Sequence, residues 1–327
     1  MENIASQPRT TTSAMAQATP TYAISINKLT KHYGSSRGIV DLDLNIYQGE
    51  VFGFLGPNGA GKTTTIRMLL NLIKPSSGKA TLLGLDSQQD SVAIRREIGY
   101  LPGEFSLYPN LTGAQTLKYF ANLRGVGNKQ TWGYVLELAG RLELDLSKKF
   151  KQYSRGNKQK VGIIQALMHR PRLLILDEPT SGLDPLNQQE FYKLIDEVKS
   201  EGRSVFFSSH IMSEVEKCCD RVGIIREGRL VQLGDIATLT GLKTHHLELS
   251  FAGPAPRAEF AQIDGVEQLE QTPGTQGQEI LRFVVRPDAV EQVVKTAARY
   301  HIVNFVSHEP SLEEIFLNYY REPSQIS

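Results

Sequence analysis

The eight residues Gly56–Thr63, "GPNGAGKT", leave the chain little choice about what surrounds them. A G-x-x-x-x-G-K-[ST] run works only where a strand delivers the chain into a tight loop and a helix carries it away. Both flanks are present: "VFGFL" at 51–55 reads as a buried strand, and "KTTTIRMLLNLI" at 62–73 reads as a helix ended by Pro75. Glycines let the backbone close round a phosphate without Cβ clashes, and successive N–H groups and the helix N-terminus then face the anion. Gly56, Pro57, Asn58, Gly59, Ala60 and Gly61 form the cradle. Lys62 is expected to reach the β- and γ-phosphates, and Thr63 to offer its hydroxyl to Mg²⁺.

Such a cradle needs a carboxylate for the metal. "LLILDEP" at 173–179 is an apolar strand that ends in Asp177, placed to hold Mg²⁺ or its water. Glu178 follows at the strand's mouth, where an attacking water could be deprotonated. His210 follows a further strand, "SVFFSS"; a lone histidine is usually structural, but here it is a candidate γ-phosphate sensor. Strands are predicted at 22–34, 40–48, 51–55, 79–83, 97–101, 172–177, 203–208 and 221–226. Helices are predicted at 62–73, 112–124, 128–142, 157–169, 186–200 and 211–219. Buried strands alternating with amphipathic helices imply an α/β core with parallel strands.

At 327 residues the chain has room for about two domains. Residues 1–21 read as a disordered tail without a signal-peptide core. After a Pro-, Gly- and Gln-rich shift near 252–278, the pattern over 241–327 is strand–helix–strand–strand–helix–strand with a final helix at 311–320. That is a small α+β domain for which a ferredoxin-like arrangement is the expectation. No run reaches the ~18–20 apolar residues of a membrane span, so any work at a membrane is expected to go through a partner. The two cysteines, Cys218 and Cys219, are adjacent, which suits neither a structural disulfide nor a zinc site. A reducing cytosolic setting, with the pair as small buried hydrophobes, is the simplest reading.

The 36 basic and 35 acidic residues nearly cancel, so no overall field points to nucleic acid. Against that background residues 147–160, "SKKFKQYSRGNKQK", stand out, with six basic side chains and no acid. A nucleic-acid patch, a solvated helix face and a defined phosphate grip are the three readings. Phe150 and Tyr153 alone do not make a base-stacking platform, which weakens the first.

In this order the pieces resemble the ATP-binding cassette (ABC) family of ATPases over about residues 22–240: "GPNGAGKTT", "LLILDE", "SGLDP" at 181–185 and "SSHIMSE". The resemblance implies a P-loop NTPase core with a helical subdomain, and it adds Thr64 to the ATP-binding residues and Ser181 and Asp184 as the D-loop. It places "YSRGNKQK" at the family signature L-S-G-G-Q; Ser154 and Gly156 match, while Tyr153, Arg155 and Asn157 depart. In the family this motif caps a helix that faces the γ-phosphate held by the opposite subunit, a role assigned here to Ser154, Gly156 and Asn157. Tyr33, in "KHYG", matches the residue that stacks on adenine. The family's metal-site glutamine is missing: "IGYLPGEF" puts Gly103 at its place, and Glu104 is either a substitute magnesium ligand or a solvated loop acid. The C-terminal "EPSLEEIFLNYY", with "GYLPGEFSLYPNLTG" and "SRGNKQKVGIIQAL", is similar to ATPase subunits of type-2 exporters of drugs, lipids, polysaccharides or peptides. This implies ATP and Mg²⁺, a separate permease docked near 103–112, a second ATPase subunit in a homodimer, no nucleic acid, and a place on the cytoplasmic face of the cell membrane. A soluble relative acting on nucleic acid or the ribosome is the alternative; such proteins usually carry tandem cassettes or coiled-coil insertions, and this chain has neither.

Overall fold

The computed structural model describes residues 21–34, 36–104, 107–239, 245–274 and 277–308. The tail, apart from residue 21, and the helix expected at 311–320 lie outside them. The first sheet starts from two long strands. Strand β1 (Tyr22–Tyr33) turns Ala23, Ile24, Ile26 and Leu29 inward and pairs antiparallel with β2 (Ser36–Tyr47). After β3 (Val51–Leu55) and α1 (Lys62–Leu69), the chain returns to this sheet as β4 (Ser77–Leu82) and β5 (Leu85–Asp86), giving the order β2-β1-β4-β5.

The second sheet carries the site. It joins β3 to β6 (Ile98–Leu101), β7 (Leu173–Asp177), β8 (Ser204–Ser209), β9 (Arg221–Arg226) and β10 (Arg229–Asp235) in the order β10-β9-β3-β8-β7-β6. Its neighbours are parallel except β10, which returns antiparallel from β9. Strand periodicity sends alternate side chains to opposite faces. Phe52, Phe54, Ile175 and Phe206 meet the first sheet and α1 in one core. Val51, Leu55, Leu176 and Phe207 face a second core with the helices. Those helices are α3 (Gly113–Leu123), α4 (Lys129–Arg141), α5 (Arg155–Leu167), α6 (Pro185–Ser200) and α7 (Met212–Cys218).

Several elements differ from expectation; β2, for one, begins at Ser36 rather than at 40. The first helix stops at Leu69, because Asn71 at φ 53° already turns the chain left-handed. A helix not expected from the sequence, α2 (Ser91–Glu97), precedes β6. Helix α5 starts two residues early, since the Ser154 hydroxyl accepts from the Asn157 N–H and caps it there. A short α8 (Ile236–Leu239) follows β10.

Beyond it, β11 (His245–Phe251), α9 (Arg257–Ala261), β12 (Val266–Pro273), β13 (Glu279–Val285), α10 (Val290–Ala297) and β14 (Ile302–His308) form an antiparallel sheet in the order β12-β13-β11-β14. The first and third strands lie central, as a split βαβ pair requires. Leu247, Leu249, Phe251, Phe260 and Phe283 make its separate core.

His169, after α5, donates from Nε2 to the Ile98 carbonyl (3.1 Å). Burial, aided by the charge of Arg124, pushes its imidazole down to about 4. The unfolded chain therefore binds a proton near pH 6.5 that the fold refuses until about pH 4, so stability falls as pH drops through that window. The loss is on the order of 2–3 kcal/mol. Urea midpoints at pH 7 and 4.5 should show a smaller drop for His169→Gln than for the unsubstituted chain.

Candidate functional site

Parallel register brings the ends of three strands to one edge. Leu55 of β3 lies beside Ser209 of β8, and Ser208 lies beside Asp177 of β7. The loop leaving β3, the carboxylates leaving β7 and the histidine leaving β8 must therefore converge. This is the carboxyl edge at which open α/β sheets bind ligands.

The loop is fixed from both sides. The Gly56 N–H donates to the Ser209 carbonyl (3.2 Å), and the Gly228 N–H donates to the Ala60 carbonyl (2.9 Å). Gly61 has φ 116°, and a Cβ there would lie 2.3 Å from Ile39 Cδ1, so only glycine serves as the N-cap of α1. Lys62 is 5% exposed and folds back over the loop. Its Nζ donates to the carbonyls of Gly56 (2.6 Å) and Pro57 (3.3 Å) and lies 3.2 Å from Glu178 Oε1. That last contact is ionic only, since Oε1 accepts no hydrogen bond.

Thr63 and Asp177 meet directly: Thr63 Oγ1 donates to Asp177 Oδ2 at 2.8 Å. Ser208 Oγ donates to Oδ1 at 2.5 Å, which orients the carboxylate. Hydroxyl and carboxylate are hard oxygen donors of the kind Mg²⁺ takes, and the bare Cα of Gly103 borders Oδ2, where a Cβ would stand only 3.3 Å away. The donor set thus fits a magnesium ion. Glu104 is exposed and borders a neighbouring apolar cleft, so the residue against Asp177 is Gly103.

Glu178 sits in the left-handed region at φ 50°. Its N–H donates to the Ser208 carbonyl (3.1 Å), and its Oε2 is 2.7 Å from His210 Nδ1. Behind it, buried Glu214 accepts from Thr180 Oγ1 (2.6 Å) and Ser209 Oγ (2.7 Å), tying β7's exit loop to α7. Sequence reasoning singled out none of Ser208, Ser209, Thr180 and Glu214. The signal was available in "SVFFSS": two hydroxyls ending a buried strand need partners.

Tyr33 is 48% exposed, with Lys31 Nζ 5.4 Å from its ring centroid. Gly38 lies against its ring, where a Cβ would be 3.2 Å from Tyr33 Cδ2. Pro57, Asn58, Gly59 and Thr64 belong to the same loop and first helical turn.

The basic stretch resolves into distinct jobs. Tyr153 is buried and donates to the Asp145 carbonyl (2.7 Å), so it packs the core. Lys160 is buried, and Lys158 Nζ lies 5.5 Å from the Phe150 ring centroid. Ser154 caps α5, and Gly156 and Asn157 form its first turn. Among the described residues no hydrogen bond joins these three to the phosphate loop of the same chain. Ser181 Oγ accepts from Arg155 Nη2 (2.7 Å), and Asp184 caps α6 by accepting from the Asn187 N–H (3.0 Å). The Asn187 bonds hold the Asp184 carboxyl below its ordinary range.

A family described as ABC transporter matches residues 39–181. The bacitracin transport ATP-binding protein BcrA of Bacillus licheniformis is 45% identical over 210 residues, 64% of this chain and 68% of that protein. The linearmycin resistance ATP-binding protein LnrL of Bacillus subtilis is 33% identical over 301 residues, covering 88% of this chain and 95% of that protein. Among solved structures, an ATP-binding subunit of an ABC transporter shares 30% identity at a TM-score of 0.63, covering 66% of this chain and 91% of that chain. A dimeric, post-hydrolysis ATP-binding cassette bound to ADP and Pi is similar in fold, at 24% identity and a TM-score of 0.60, covering 65% of this chain and 98% of that chain.

Proposed function

The chain belongs to the ABC transporter family of ATP-binding subunits, and from that premise we propose that it hydrolyses ATP to drive a separate membrane permease that exports drugs, lipids, polysaccharides or peptides. The observation that carries this reading is the meeting of Lys62, Thr63, Asp177, Glu178 and His210 at one sheet edge. The adenine stacks on Tyr33, and the triphosphate lies along Gly56–Thr64 with Lys62 drawn from Glu178 towards the γ-phosphate. Thr63 and Asp177 would hold a magnesium ion, which would neutralise charge on the phosphate oxygens. Lys62's departure leaves the Glu178 carboxylate free to take a proton from water, while His210 steadies the γ-phosphate.

The site is completed by a second copy. Ser154, Gly156 and Asn157 present a helix N-terminus with Arg155 beside it, an anion-seeking end to which, among the described residues, no anion of its own chain is bonded. A homodimer places that end over the partner's γ-phosphate, with Ser181 and Asp184 of the D-loop at the seam. ATP selects the closed pair and hydrolysis releases it.

None of the described helices is long and apolar enough to cross a membrane. Docking on the permease is assigned to the 103–112 loop, part of which (105–106) lies outside the described residues, and to the adjoining cleft of about 310 Å³ lined by Leu70, Leu72, Tyr100, Leu107 and Phe120. The chain then works on the cytoplasmic face of the membrane.

The test is twofold. The purified chain should release phosphate from MgATP, and pull-down from detergent-solubilised membrane should bring down an integral-membrane partner. Recovery with ribosomes, or no phosphate release, would overturn the proposal.

A further inference from the structure

We propose that Gln159 is a positioning residue: from the helix that serves one nucleotide it fixes the backbone of Glu178, which acts on the other. Gln159 is 4% exposed. Its Nε2 donates to the carbonyls of Glu178 (3.1 Å) and Pro179 (2.9 Å). Both partners are acceptors, so it is the amide nitrogen that faces them.

The carbonyls need holding. Glu178 sits at φ 50°, a left-handed conformation uncommon for a residue with a Cβ and held in place by its surroundings. Pro179 follows, and a residue before proline is biased towards extended conformations. Ser208 secures the N–H side of Glu178, and Gln159 secures the carbonyl side, together with the Ser181 N–H (3.2 Å). Rotation of the 178–179 peptide would swing the carboxylate away from His210 and Lys62.

The same segment is tied to α5 at two further points. Arg155 Nη2 donates to Ser181 Oγ (2.7 Å), and a Cβ on Gly156 would stand 2.4 Å from the Gly182 carbonyl oxygen. A shift of the first turn of α5 therefore carries residues 178–182 with it. On the two-copy reading above, that turn responds to the partner's γ-phosphate, so occupancy of one site sets the base in the other.

Gln159→Met keeps the length and removes the donor; Gln159→Lys restores a donor. For the methionine variant kcat for phosphate release should fall roughly 10- to 100-fold, with KM within about twofold and any Hill coefficient for ATP moving towards 1. The lysine variant should regain much of the lost kcat. Unchanged kcat in Gln159→Met, a loss shared equally by KM, or a lysine variant no better than methionine would overturn the assignment. Adding Gln159→Met to Glu178→Gln should leave ATP-driven dimerisation intact. If Glu178→Gln alone stays monomeric with ATP, the two-copy reading fails, whereas the kcat and KM split still decides whether Gln159 positions Glu178.

Discussion

Glu178→Gln is expected to lower phosphate release by roughly 10²- to 10⁴-fold while nucleotide still binds. The substitution keeps the side chain's size and the backbone held by Ser208 and Gln159, so the site's shape survives. What it removes is the carboxylate that lies between Lys62 (3.2 Å) and His210 (2.7 Å), the group in position to accept a proton from water. It also removes the anion that competes with phosphate for Lys62. Binding therefore holds or tightens, and the ATP-closed dimer, no longer dismantled by turnover, accumulates. Phosphate release and light scattering read the two halves of the result. Turnover at the unsubstituted rate would remove Glu178 as the base.

The second large effect falls on affinity. Lys62→Ala should weaken nucleotide binding by about 10- to 100-fold, as expected for loss of a charge-assisted contact of ~1.5–3 kcal/mol. The cation is almost wholly buried against the loop it serves, donating to the Gly56 and Pro57 carbonyls. Its removal takes away the positive charge nearest the phosphates and leaves Glu178 without its ionic neighbour. Isothermal calorimetry with MgATP measures the loss. Equal affinity would mean that the loop does not cradle a triphosphate.

Much of this site was legible in the letters because short-range chemistry wrote it there. A glycine-rich loop between strand and helix has one economical use, and an apolar strand ending in Asp177-Glu178 announces a buried edge with charge at its mouth. Parallel pairing then had to bring the two together. The cross-links were harder to see, because they depend on which strand lies beside which. Ser208 reaches Asp177 across 31 positions, and Gln159 reaches Glu178 across 19. Neither separation has a local pattern. Composition alone could not divide the labour of the basic stretch: Lys160 is buried, Lys158 lies near an aromatic ring, and Arg155 donates to Ser181. Helix α2 was missed because "SVAIRRE" is short and buries only Ile94. Gly103 was recognised as standing where the family has glutamine, but that it borders Asp177 became visible only with β6 laid beside β7.

The account turns on a nucleotide gripped by two protomers, and a crystal structure of Glu178→Gln with MgATP addresses that directly. The expected result is a γ-phosphate contacted by Lys62 of one protomer and by the Ser154 hydroxyl and Gly156 N–H of its partner. A γ-phosphate enclosed by one protomer alone, with the other's Ser154 turned to solvent, would contradict it.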